Sequence, residues 1–429
     1  MKWMLNHKMC MNMKRWIIVL SLSFLLLDGY GLRNWSDFEY QGIEYRYFSR
    51  EDRTVSVTYV SRDTTSVVLP SHVVCNDTVY TVVEIYPGAF QSCWDLETVE
   101  LPNTLVTIRR GAFMSCESLK EIIIPSSVRL IEQRAFYGCV NLKKLVHTNT
   151  LEIIEPLAFC YSGLDSVFMH KDTNYGSGVF ACCDSLKYVE IEDGVTTIAS
   201  YLFNGYEYRT ENLGNQLEEI RLPNTVRHIG EHAFSGTRVT QLNLPSSVTY
   251  IGEEAFSHNT VLKEACLPAS LDTLGSNVFL QCHSLEKVTF LGGAIDKVLF
   301  AGCVKLKTLV FGRQVSYVTS KLFKTNYYDE KNSLTDVYCE GTVPPEEGIY
   351  IEGATLHVPK GCKEIYATTD NWAKYGENIV DDIELSGIHN AQLKTQDSDA
   401  PTYDLQGRRV AHPKQGEIYI QNGKKYINK

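Results

Sequence analysis

Thirteen cysteines and eleven histidines carry most of the reactive chemistry of this 429-residue chain, and their spacing decides what that chemistry can be. Cys93, Cys116, Cys139, Cys183, Cys282 and Cys303 each fall three residues after a phenylalanine, a slot that elsewhere holds Thr237, Asn259 or Asn326. A position that accepts Cys, Thr or Asn calls for a small side chain with hydrogen-bonding capacity at an inward turn. The thiols are therefore expected to stack as buried, unbridged small hydrophobes. Disulfides between neighbouring strands about 4.8 Å apart stay geometrically open as an alternative. Cys182-Cys183 has no histidine or second cysteine pair at zinc-ligand spacing. His228, His232 and His258 lie in neighbouring segments, where a shared metal competes with the simpler reading of exposed turn residues. His-Glu-x-x-His, Gly-x-Ser-x-Gly, a phosphate-cradling glycine loop and Cys-x-x-Cys are all missing from the sequence. No catalytic residue, cofactor or metal is expected, and the chain reads as non-enzymatic.

The elements that would position these residues come from a repeat. Phe90, Phe113, Phe136, Phe159, Phe180, Phe203, Phe234, Phe256, Phe279, Phe300 and Phe323 follow one another at 21–23 residues, apart from a gap of 31 after Phe203. A period in this range means stacked repeats. Each copy reads as a short alternating strand stopped by proline, as in Leu119/Ile122/Ile124-Pro125. A second apolar pair follows, as in Val128/Ile131, and then a helical or 3₁₀ corner around Ala135-Phe136. One such unit cannot bury its apolar side alone, so the phenylalanines are expected to stack from rung to rung. Gly292-Gly293 and Phe311-Gly312 replace the proline and predict looser turns, as do His147, Met169 and Glu192 at strand-end positions.

Composition narrows the function. A net charge of -10 argues against nucleic acid or an anionic membrane surface, both of which call for basic patches. Two departures from the repeat point to partner contact. The step from Phe to the next Leu is six residues at Phe113–Leu119, but fourteen at Phe203–Leu217 and eleven at Phe323–Leu334. Both insertions leave the same corner and carry Tyr206, Tyr208 and Arg209, or Tyr327, Tyr328 and Asp329, so they are candidate binding loops. The second candidate is the outward side of the first strand, where Ile123, Val146 and Phe168 align with Tyr188 beside them. An exposed apolar stripe of this kind marks an interaction surface, unless the irregular segment 170–178 covers it.

The unit Ala-Phe-x-x-Cys-x-x-Leu-x-x-Ile-x-Ile-Pro-x-x-Val-x-x-Ile resembles the BspA-like leucine-rich repeat of bacterial surface proteins, over roughly Val67 to Val358. The resemblance implies a β-rich solenoid, a right-handed leucine-rich-repeat array of about eleven rungs. It also implies attachment to host matrix or cell-surface proteins, in the manner of an adhesin. A glycan-binding accessory protein and a structural surface component are the alternatives.

The flanks fit an exported protein. Lys14 and Arg15 precede the apolar run Trp16 to Leu27, with Gly29 and Gly31 at the place of a cleavage site, so residues 1–31 read as a signal peptide. Met9, Met11 and Met13 are alternative starts. Residues 32–85 read as an N-terminal β cap, 86–358 as the solenoid, 359–385 as a closing unit and 386–401 as a polar linker. Residues 402–429 read as a small β tail, with two alternating strands around an Asn422-Gly423 hairpin signal. Its Leu-x-Gly-Arg-Arg-Val and Gly-x-Tyr-Ile stretches resemble the C-terminal sorting-type tail of secreted bacterial proteins. No membrane span is expected after signal cleavage, and the address read from both ends is extracellular or the bacterial cell surface.

Overall fold

The computed structural model describes residues 36–205, 215–323 and 333–384, together with the backbone of four short strands in the C-terminal tail. The chain winds into a β-solenoid of about fourteen turns. Eleven turns follow a Phe anchor. The strands Ser66–Val68, Thr355–Pro359 and Ile379–Ile383 extend the stack at its two ends.

Two parallel ladders run along the stack. First strands pair in parallel two by two in the N-terminal half, as Glu121–Ile123 does with Lys144–Val146 and Ser166–Met169 with Tyr188–Ile191, and as a continuous run from Gln241–Asn243 onward. The second strands form their own ladder through Thr78–Ile85, Thr107–Ile108, Leu130–Ile131, Ile153–Ile154 and Asn174–Tyr175. In the units built on Phe279 and Phe300 the two strands fuse into one bent strand each, Lys287–Ile295 and Thr308–Val318. The looser turns expected there are thus continuous strand. Without proline every N–H can join the ladder, and the bend falls at Gly293, whose φ is +87°.

The corner is neither α-helix nor a run of 3₁₀ helix. It is a series of i→i+3 turns, such as Ala112 N–H to Arg109 O and Cys116 N–H to Phe113 O. Left-handed residues interrupt the series two positions before and two positions after the anchor. Around Phe136 these are Arg134 (φ +57°) and Gly138 (φ +74°). Helical propagation stops at such residues. The freed backbone groups bond to the next corner instead, as in Phe113 N–H to Ala135 O at 2.7 Å and Ser115 N–H to Tyr137 O at 2.8 Å.

Inside the corner the phenylalanines form one spine. Successive ring centroids lie 4.6 Å apart at Phe90–Phe113, 4.9 Å at Phe136–Phe159 and 5.5 Å at Phe300–Phe323, mostly with near-parallel planes. The residue three places on has a definite task. The thiols of Cys116, Cys139, Cys282 and Cys303 each donate to the carbonyl oxygen of the phenylalanine one rung back, at 3.0–3.3 Å. Asn259 does the same to Phe234, and also bonds the Phe256 carbonyl and the Thr237 backbone and hydroxyl. At these positions the slot links a rung to its predecessor through a polar contact buried in the core.

Both ends of the core are closed. At the N-terminal end the strands Phe38–Tyr40, Ile43–Ser49 and Thr54–Val60 form an antiparallel sheet that joins the second ladder. A brace ties this sheet to the first rungs. The Ser56 hydroxyl donates to Glu84, and Arg109 bridges Glu84 and Glu132 at 2.5 and 2.6 Å. At the other end the helical segment Trp372–Asn378 lays Trp372 over Phe311, with the indole N–H donating to Pro345 O at 2.8 Å. In the tail, Ile418–Gln421 and Lys424–Ile427 pair antiparallel on either side of Asn422-Gly423.

Two outcomes are expected. Phe136→Ala should cost about 3–5 kcal/mol, with amide exchange rising first in the rungs of Phe113 and Phe159. A uniform rise along the chain would contradict nearest-neighbour coupling. In urea titration Asn259→Ala should cost about 3 kcal/mol, because several buried groups lose partners, whereas Cys139→Ala should cost about 1 kcal/mol for one weak thiol donor.

Candidate functional site

The first ladder has an inward and an outward side because successive side chains alternate across a strand. Pairing sets Ile123 directly beside Val146, and the next pair of strands sets Phe168 beside Glu190 and Tyr188 beside Ser166. All four sequence-derived stripe residues are exposed: Ile123 by 57%, Val146 by 39%, Phe168 by 38% and Tyr188 by 69%. Tyr188 stands one column away from the other three, as its register requires. Segment 170–178 does not cover the stripe. Its Asn174–Tyr175 strand continues the second ladder by pairing with Ile153–Ile154.

Two further members were missed from sequence. Trp94 (56% exposed) and Val140 (50%) each follow a slot cysteine directly, two rungs apart, at the entry to the same outward face. The signal was present in the alignment of rungs, one place beyond the slot. The far end of the stripe is aromatic. Phe168 meets the edge of His170 at 4.6 Å, His170 meets His147 at 4.9 Å, and burial together with His170 lowers the pKa of His147. Lys120–Glu97 and Lys144–Glu121 ion pairs on exposed side chains flank the apolar column. Tyr206, Tyr208, Arg209, Tyr327, Tyr328 and Asp329 lie outside the described residues.

The titratable groups are engaged in structural contacts. His228 stacks on Tyr250 at 4.1 Å, and His232 stacks on Tyr201 and faces Glu254 at 3.6 Å. Burial, with His283 and His232 nearby, holds His258 down to about 4, so its ring is neutral at pH 7. Among the described residues no group of three or more His, Cys, Asp or Glu is placed to hold a metal. One constellation absent from the sequence reading looks like an acid–base triad. His357 stacks on Tyr338, with Nδ1 2.9 Å from Asp382 and Nε2 3.2 Å from Asp336. Both ring nitrogens face carboxylates, so neither is free to take a proton from a substrate. A shallow cleft of about 390 Å³ near the N-terminal sheet is floored by the Glu84–Arg109–Glu132 brace, whose charges are already paired.

The slot cysteines are buried, and burial pushes the thiols of Cys93, Cys116, Cys139, Cys183 and Cys282 up, Cys139 and Cys282 to about 12. Such thiols are protonated at neutral pH, and those of Cys116 and Cys139 are held to Phe carbonyls. Among the described residues no disulfide is formed. No helix among the described residues is long and apolar enough to cross a membrane.

Comparison with solved structures finds a leucine-rich repeat protein from Bacteroides ovatus, 23% identical, covering 81% of this chain and 99% of that one, with a TM-score of 0.54. The pneumococcal vaccine antigen PcpA is 20% identical, covering 81% and 98%, with a TM-score of 0.47. Comparison with curated proteins gives no significant match. The family described as BspA type leucine rich repeat region matches in six copies over residues 83–209 and 212–328, more than half of the sequence. With its Phe spine, slot and paired ladders in the same stretch, this chain belongs to the BspA-type leucine-rich repeat family.

Proposed function

We propose that this protein is a non-enzymatic binding protein of adhesin type, secreted or displayed on a bacterial cell surface, that engages host matrix or cell-surface proteins. The observation that carries this reading is the outward column of Ile123, Val146 and Phe168, widened by Trp94, Val140 and Tyr188. Exposed aromatic and branched side chains on a rigid ladder lose little conformational entropy on contact, which favours protein partners. Interspersed acid–base pairs set orientation more than affinity. Export is supported by the basic-then-apolar leader at residues 14–27 and by the sorting-type stretches of the tail.

Exposure of Trp94 and Tyr188 favours a second reading, in which the rings stack on sugars. Both readings are open to one set of measurements. The protein is tested against a panel of purified matrix glycoproteins and against a glycan array, beside Ile123→Glu/Val146→Glu/Phe168→Glu and a variant lacking both insertions. The triple variant alters exposed positions only and should keep its thermal transition. It should lose about 30-fold in protein affinity, the scale of one or two interface hot spots. Equal binding by the triple variant would remove the stripe from the account, and loss in the insertion variant alone would move the site to the tyrosine loops. Array signal abolished by Trp94→Ala or Tyr188→Ala, with protein binding intact, would favour glycans.

A further inference from the structure

Two cysteines near the middle of the stack do not occupy the slot that serves the Phe carbonyls. Cys160 follows Phe159 directly, and the slot of that rung is filled by Ser162, which contacts Cys183 at 3.2 Å. Cys182 lies two places after Phe180, with Cys183 in the slot of its own rung bonded to Phe159 O at 3.3 Å. The Cys160 and Cys182 thiols hydrogen-bond each other across the rung boundary. The backbone holds them there. Phe159 N–H donates to Val179 O and Tyr161 N–H to Ala181 O, both at 3.0 Å, while Cys182 sits in the left-handed region at φ +53°. Adjacent backbone segments at ladder spacing fall inside the Cα separation that a disulfide spans.

The pair spans an interface that both ladders cross, Ile153–Ile154 with Asn174–Tyr175 and Ser166–Met169 with Tyr188–Ile191. Ring spacing along the spine opens from 4.9 Å at Phe136–Phe159 to 6.0 Å at Phe159–Phe180. Among the described residues, the second ladder ends at Asn174–Tyr175 and resumes as a separate sheet at Thr197–Ile198. The first ladder is in separate two-stranded pieces up to Tyr188–Ile191 and becomes a continuous run only from Gln241–Asn243. A covalent link between the Phe159 and Phe180 rungs would reinforce the last interface that both ladders cross before they stop. In a nearest-neighbour array a cross-link acts on the interface it spans.

We propose that Cys160 and Cys182 are a redox pair that closes to an inter-rung disulfide by exchange with a small-molecule disulfide such as oxidised glutathione. Cys182 is the partly exposed member and Cys160 is buried, so exchange begins at Cys182. Its thiolate attacks one sulfur of the donor, forming a mixed disulfide and expelling the first donor thiolate. The Cys160 thiol then gives up its proton and attacks Cys182 Sγ, expelling the second. Two protein thiols lose two protons and two electrons, and the donor disulfide becomes two thiols. Arg134 lies close enough to favour the Cys160 thiolate, against the larger opposing effects of the Cys182 hydrogen bond and burial. The slot thiols, committed to Phe carbonyls, stay reduced.

The full chain, purified reduced, is equilibrated with oxidised glutathione, alkylated and digested without reduction for mass spectrometry. The expected product is a peptide pair joined through Cys160 and Cys182, two hydrogens lighter than the sum of its parts. Amide exchange at Asn174–Tyr175 and Tyr188–Ile191 should slow on oxidation of the native protein, and not in Cys160→Ser or Cys182→Ser. Alkylation of both residues in the oxidised, folded protein would overturn the proposal, as would a Cys182–Cys183 link or a glutathione adduct that persists at Cys182. The wild-type mapping decides the matter even if a serine variant fails to fold. Its outcome is independent of whether the outward stripe binds a partner.

Discussion

Every rung of this solenoid depends on the ring of the rung before it. A phenylalanine at each corner is covered on both faces only when its neighbours are in place, and the slot side chain three residues on donates to the previous Phe carbonyl. Apolar contact and polar closure are therefore shared between rungs and never completed within one. This requirement accounts for the near-constant period of the sequence and for the tolerance of Cys, Thr or Asn in the slot. It also accounts for the closing elements, the N-terminal sheet with its Arg109 brace and Trp372 over Phe311.

The same constraint separates fold from function. Residues that set the stack point inward and are spent on it, including the thiols and the titratable groups near the corners. His258 is held neutral by its surroundings, and His357 is clamped between Asp336 and Asp382. Chemistry is left to the outward columns, where nothing in the stack dictates side-chain type. There the ladder offers a flat, rigid and mixed surface, suited to contact over area and poorly suited to enclosing a small substrate. The apolar column from Ile123 to Phe168 is the part of that surface least explained by solubility.

Much of this was legible in the sequence because inward positions repeat. The eleven Phe anchors, the strand-turn-strand order, the slot and the Ile123–Val146–Phe168 alignment could all be read from spacing. The corner could not. Its left-handed residues are glycine at Gly111 and Gly138, but Arg134, Leu157, Tyr161 and His232 adopt the same backbone without any sequence mark. Corner-to-corner hydrogen bonds hold them there, a tertiary effect that local preference does not record. The fused strands at Lys287–Ile295 and Thr308–Val318 were hidden for a related reason. Loss of proline reads as a loose turn, whereas the ladder on either side enforces pairing. Trp94 and Val140 share the place just after the slot, but the rung between them does not keep an apolar residue there, so the position does not read as part of the repeat.

If shared completion between rungs is what holds the chain, whole rungs should be removable and fractions of a rung should not. Deleting residues 257–279, one period from Phe256 to Phe279, rejoins Phe256 to Leu280 in phase. Urea unfolding followed by circular dichroism is the direct measurement. The in-phase deletion should keep a cooperative transition with a slope reduced in proportion to the shortened stack, whereas deleting 257–268 should abolish it. Equal loss of structure in both, or equal retention in both, would contradict the account.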